Sequence, residues 1–145
     1  MASDPIVYDK AKYHFESVEN DGLDEVQAYV HTAFYLRWIL EHKFFSKEFF
    51  EESKEEIKKF QNGKLTALQI YQNWDGCLID YMLNDEGNAF SQFYFDFEKG
   101  QYIHDYGIIT DELWSIFSLR FNDENYSKVK PLIDNAYRSW KNPKS

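Results

Sequence analysis

Apolar and polar positions along this chain alternate mostly with a helical period. From Asp24 to Lys43, Val26, Tyr29, Val30, Ala33, Leu36, Trp38 and Leu40 recur at helical spacing. A second face of the same stretch carries Gln27, His31, Phe34 or Tyr35, Trp38 and His42. Large residues on two faces predict a helix near the centre of a bundle, with Asp24 and Glu25 in its first turn, where the dipole favours negative charge. The next helix begins at Ser46, a good N-cap, with Phe45 and Phe50 placed as a hydrophobic staple. Phe49, Ser53, Ile57 and Phe60 form its inner face, charged residues cover the other, and Gly63 is placed to end it. Thr66 to Gln69 is a capping-box pattern, with Leu65 and Ile70 as its staple, and predicts a helix to about Trp74 that Asp75-Gly76 breaks.

Further along, Cys77 to Leu83 reads as helical, and Asn84 to Gly87 as the turn into, or the first turn of, a helix carrying Ala89, Phe90, Phe93, Tyr94 and Phe97. Glu98-Lys99-Gly100 is a boundary. Tyr102 to Ile109 fits a helix or an irregular segment. In Leu113 to Phe121, alternation competes with a helical period, leaving room for an extended segment or edge strand. The last helix spans about Asp123 to Trp140, with Pro131 in phase as a kink or a boundary. The fold class is therefore mainly α: a single-domain orthogonal helical bundle of about five to seven helices, with one short extended segment near 113–121. Residues 1–145 form one domain with an ordered core over about 8–141.

Composition supports a real core. A chain of 145 residues buries roughly 68–70% of its unfolded surface, and aromatics make up 19% of the residues. The lone cysteine, Cys77, forms no internal disulfide and reads as a buried small hydrophobe. No apolar run is long enough for a membrane span or a signal peptide, so a soluble, cytoplasmic protein is expected. Charge narrows the partners. Residues 75–124 hold eleven carboxylates against Lys99 and Arg120, so this stretch carries the whole net charge of −9. That balance disfavours nucleic acid and anionic membrane surfaces and favours a basic protein partner.

The motifs of chemistry are sparse. His14, His31, His42 and His104 show no H-x-x-x-H spacing, and one cysteine builds no thiolate site, so no metal and no cofactor is expected, although a mixed His/carboxylate site from distant segments stays open. His31 reads as a core histidine. His104 and Asp105 are adjacent and do not face each other on a helix. The pairs Asp75/Asp80 and Asp96/Glu98 read as solvated acids rather than an acid–base pair. Ser91, Ser115 and Ser118 lack a nucleophile elbow, and no Gly-rich phosphate loop occurs. The chain is read as a non-enzyme.

Several strings resemble a known family: Tyr8 to Phe15, Ala28 to Thr32 followed by Trp38, Trp74-Asp75-Gly76, Glu86 to Phe90, Tyr102 to Tyr106, and Ile133-Asp134 with Trp140. Together they are similar to an uncharacterised bacterial family of small soluble proteins, over about residues 8–141. That family carries no activity to transfer. By size, charge and style it resembles immunity proteins that block bacterial toxins, an analogy of fold-independent features. The expectation is a protein-binding domain, monomeric or weakly dimeric, that blocks a basic toxin such as a nuclease through Asp75, Asp80, Asp85, Glu86, Asp96, Glu98, Tyr102, Asp105 and Tyr106. The alternatives are a small-ligand or enzymatic domain with a pocket lined by His14, His31, Trp38 and Trp74, and an oligomeric adaptor.

Overall fold

The computed structural model describes residues 5–96 and 100–143. Among the described residues the chain forms eight α-helices, three 3-10 turns and one two-stranded antiparallel sheet. In chain order these are β1 (Val7–Lys10), a 3-10 turn (Ala11–His14), α1 (Phe15–Asn20), α2 (Gln27–Glu41), α3 (Lys47–Glu52), α4 (Lys54–Gln61), α5 (Ala67–Asn73), β2 (Cys77–Ile79), a second 3-10 turn (Asp80–Met82), α6 (Asp85–Tyr94), α7 (Tyr102–Ile109), a third 3-10 turn (Ile116–Ser118) and α8 (Asp123–Lys141).

The protein is mainly α-helical, as its periodicity predicts. Helix α2 is the axis. Ala28, Val30, Ala33, Phe34, Tyr35, Leu36, Trp38, Ile39 and Leu40 are all buried, so it is covered on every side. It packs against α5, α8 and the third 3-10 turn. The core is unusually aromatic. Tyr35 lies 4.6 Å from Phe95 and 5.4 Å from Tyr102 between ring centroids, and Trp38 stacks on His42 at 4.0 Å. Such pairs add to the area they bury.

The punctuation of α3 to α5 follows the sequence closely, whereas α2 begins at Gln27, after the expected Asp24 and Glu25, with no acid in its first turn. The Ser46 hydroxyl accepts from the Phe49 N–H at 2.9 Å, and the Phe45 and Phe50 rings stack at 6.0 Å. The reading misses a break at Ser53, which divides this helix into α3 and α4. Gly63, at φ 74°, ends α4: the Lys64 N–H reaches the Lys59 carbonyl at 2.8 Å and the Gly63 N–H reaches Phe60 at 3.1 Å, the two bonds of a Schellman motif. Thr66 and Gln69 form both halves of the capping box. The Ser46 hydroxyl also donates to the Tyr81 carbonyl at 2.7 Å, so Ser46→Ala removes a cap and orphans a carbonyl. It should cost about 1–2 kcal/mol in urea denaturation, with an unchanged m value.

Several segments differ from expectation, strand β1 among them. Cys77–Ile79, read as helical, is strand β2, paired with β1 in the register Val7↔Ile79, Asp9↔Leu78 and Lys10↔Cys77. Three apolar residues carry no period that distinguishes strand from helix; long-range pairing with β1 decides it. Cys77 itself is only half-buried. Leu113–Phe121 is neither strand nor helix: extended Ser115 and Leu119 flank one 3-10 turn, held by Gln27, whose amide donates to the Phe117 and Leu119 carbonyls at 2.6 and 3.0 Å. Of the two alternatives at Pro131 the boundary is excluded: helix α8 is continuous through this solvent-exposed residue. The short helix α1 has no counterpart in the periodicity. Phe97 and Glu98 lie outside the described residues.

Candidate functional site

The first 3-10 turn and the strand before it bring together a polar centre. β1 contains a bulge between Val7 and Asp9: two positions on β1 answer one step on β2. Consecutive strand residues ordinarily point to opposite faces, and a bulge re-aims one of them. Here both Tyr8 and Asp9 turn inward, at 6% and 1% exposure. The Asp9 carboxylate then meets α2. Thr32 Oγ1 donates to Asp9 Oδ2 at 2.6 Å, and His31 Nε2 stands 3.1 Å from the same oxygen. His14, at the end of the 3-10 turn, places Nε2 2.8 Å from Asp9 Oδ1. The two imidazoles meet edge-on, 4.7 Å between centroids, and Phe117 covers both at 5.6 and 5.8 Å.

Burial opposes the charged form of Asp9, and the hydrogen bond from His14 together with the electrostatic pull of the His14 and His31 imidazoles outweighs that opposition, leaving the carboxyl at about 2. The centre is not fully satisfied. His31 Nε2 is within ion-pair distance of Asp9 but off hydrogen-bond geometry, and among the described residues neither ring nitrogen of His31 has a hydrogen-bond partner. Tyr71 Oη is likewise buried without one; burial first, then the Asp9 charge, push its phenol upward. The backbone around His31 is fixed by Tyr102, whose hydroxyl donates to the His31 carbonyl.

The four pocket residues expected from the sequence therefore divide. His14 and His31 come together. Trp38 is fully buried elsewhere, donating to Asp134 Oδ1 at 2.8 Å, and Trp74 donates to Ser53 Oγ at 2.9 Å beside Phe49. Asp9 completes the centre and was missed. The available signal was an acid inside a short β-prone run (Val7 to Asp9), which has no reason to be buried unless something neutralises it. A groove of about 670 Å³ lies elsewhere, lined by Arg37, Glu41, Lys43, Phe60, Phe121 and Asp123. Its charges answer one another: Arg37 reaches Asp123 at 2.8 Å and Glu41 at 3.2 Å.

The expected acidic contact residues are scattered in their roles. Tyr102 and Tyr106 are core residues, at 3% and 1% exposure, so neither presents a ring to a partner. Asp105 accepts from the Tyr94 hydroxyl at 2.6 Å. Glu86 accepts from Tyr137 and lies 3.7 Å from Lys141, so the C-terminal helix offsets part of its charge. Asp80 and Asp96 are half-buried; Asp75 and Asp85 are exposed.

A different acidic face is assembled by tertiary contact. Residues 13–26 and 100–119 contain no lysine or arginine and carry Glu16, Glu19, Asp21, Asp24, Glu25, Asp105, Asp111 and Glu112. They are joined at Asp21, whose carbonyl accepts from Trp114 Nε1 at 2.9 Å and whose carboxylate accepts from Ser115 Oγ at 2.5 Å. Trp114 is 80% exposed; Leu113 beside it, at 42%, and Ile108 near the end of α7, at 61%, are exposed as well. An indole tethered by its N–H while its ring projects into solvent is a pre-positioned contact group.

These features define a mainly α-helical domain with a buried carboxylate–imidazole centre and a separate acidic face carrying an exposed tryptophan. The chain belongs to the family described as Domain of unknown function (DUF7832), whose model matches residues 7–119. That span begins at β1 and ends after the third 3-10 turn, so it holds the whole centre and both acidic segments but not α8. No curated protein and no solved structure matches the chain.

Proposed function

We propose that this protein is a non-catalytic binding domain of the immunity type, which captures a basic bacterial toxin on the face formed by residues 13–26 and 100–119. The observation that carries the reading is Trp114, 80% exposed yet fixed by its bond to Asp21, amid eight carboxylates with no lysine or arginine in either segment. The acids steer a cationic surface toward the face and accelerate encounter, an effect that salt weakens. Trp114, with Leu113 and Ile108, then sets how long the complex lasts. A nuclease suits such a face, because its substrate cleft must be basic to hold phosphates.

Co-expression with toxin-like reading frames encoded beside the gene tests this. The wild-type chain should restore growth. Trp114→Ala should weaken binding of the purified toxin by about 30-fold or more, the loss of a central aromatic anchor, while unfolding stability shifts by no more than about 1 kcal/mol. A double charge reversal at Asp111 and Glu112 should slow association most at low salt. Absence of rescue against every neighbouring toxin, or full activity of both variants, would overturn the reading.

A small-ligand or enzymatic role is favoured by one observation, the carboxylate of Asp9 set between two imidazoles. It requires a reactant to reach a centre in which Asp9 and His31 are almost wholly enclosed and the His14 side chain is 18% exposed.

A further inference from the structure

We propose that Asp9, His14 and His31 form a binding site for a divalent transition-metal ion of the zinc class. Two imidazoles and one carboxylate are a donor set for zinc and for other first-row metals that favour nitrogen, and a poor one for magnesium or calcium, which take oxygen ligands. Donors around a tetrahedral zinc ion at ordinary bond lengths stand ~3.3 Å apart. The imidazole nitrogens stand 2.8 and 3.1 Å from the two different oxygens of the Asp9 carboxylate, and with one ligand atom taken from each residue the three all lie within 4.8 Å of one another. Small rotations of the rings would thus close them on one ion.

The second observation is independent of that spacing. A histidine with 2% exposure ordinarily has its ring nitrogens satisfied, and His31 has neither satisfied among the described residues. The outer contacts suit a ligand set: Thr32 orients Asp9 by its 2.6 Å bond, Tyr102 holds the His31 carbonyl, and Phe117 shields both rings. The contrast with the other His/Asp pair is instructive. His42 stands 4.0 Å from Asp134, but Lys130 Nζ lies 2.6 Å from that carboxylate, and a cation there would oppose a metal. No lysine or arginine forms an ion pair with Asp9 among the described residues. Three protein ligands leave a fourth position, on the side where His14 is partly exposed. The ion would tie β1 and the 3-10 turn to α2, adding to the Asp9 contacts and the His14–His31 ring contact that already join them. The inference is independent of the docking face.

The test uses the full chain, stripped with a chelator and titrated calorimetrically with zinc chloride, and separately with cobalt(II) chloride followed by visible absorption. One equivalent of zinc should bind, and at hundredfold excess over Kd it should raise the melting temperature by about 5–10 °C. Cobalt should give a d–d spectrum of nitrogen and oxygen ligation, and magnesium should give no heat. His14→Gln, at the exposed edge of the centre, should weaken zinc by about 100-fold, whereas His104→Gln, on the exposed face of α7, should bind as wild type. Should His14→Gln fail to fold, the cobalt spectrum of the wild-type chain decides alone. Absence of stoichiometric binding below about 100 µM zinc, or equal affinity of the two variants, overturns the proposal.

Discussion

Asp9→Ala is expected to lower the stability of the fold by about 3 kcal/mol, and the melting temperature by about 10 °C. The residue is 1% exposed and holds three partners at once: Thr32, His14 and His31. Removing the carboxylate leaves the Thr32 hydroxyl without its acceptor and two imidazoles facing each other at 4.7 Å with no counter-charge. Breaking a buried pair from one side is costly because the remaining partner stays desolvated. Asp9→Asn preserves the volume and one acceptor and should lose about half as much. Thr32→Val should cost about 1–2 kcal/mol, and the Asp9→Ala/Thr32→Val double variant less than the sum of the two, because the shared bond is lost only once. Chemical denaturation of the four chains measures this. Additive losses would show that Asp9 and Thr32 are not coupled.

Gly76→Ala is expected to be nearly as damaging, at about 2–4 kcal/mol. Gly76 has φ 64° and follows Asp75 at φ 59°, so the chain turns through two left-handed residues, a conformation that costs a residue with a Cβ roughly 1–2 kcal/mol. A Cβ at position 76 would also stand 2.7 Å from Cε2 of Tyr29 and 2.8 Å from Cβ of Ala11. Neither neighbour is the free end of a flexible chain, so overpacking adds about 1–3 kcal/mol. The Gly76 carbonyl accepts from the Ala11 N–H at 2.8 Å. A shift here therefore propagates to the 3-10 turn that carries His14. Gly63→Ala is the control: φ is 74°, but nothing lies within 4 Å of its Cβ, so it should show the backbone cost alone. Equal losses at both positions would mean that the close approach at Gly76 is relieved by relaxation.

The acidic character of the chain survives in the structure, but its location moves. In the linear sequence the carboxylates concentrate at 75–124. In the fold, Glu86 is offset by Lys141 and Asp123 by Arg37. The face that gains is built from acids on α1 and the turn before α2, which are balanced in a linear count by lysines that lie elsewhere in the chain. A linear charge tally cannot see this, because neutralisation acts through space over roughly 10 Å and not along the chain.

Local features were legible from residues alone because their causes are local. Ser46, Thr66, Asn84 and Gly63 act on backbone groups within one helical turn, so their residue types and spacing were sufficient. The same holds for α2, whose apolar residues on all sides require a central position. Tertiary structure alone decided the rest. Strand β2 exists because β1 pairs with it, Asp9 points inward because a bulge turns it, and His14 meets His31 because a 3-10 turn folds back onto α2. Each of these depends on contacts between residues far apart in the chain, whose free energy appears only once the loops between them close.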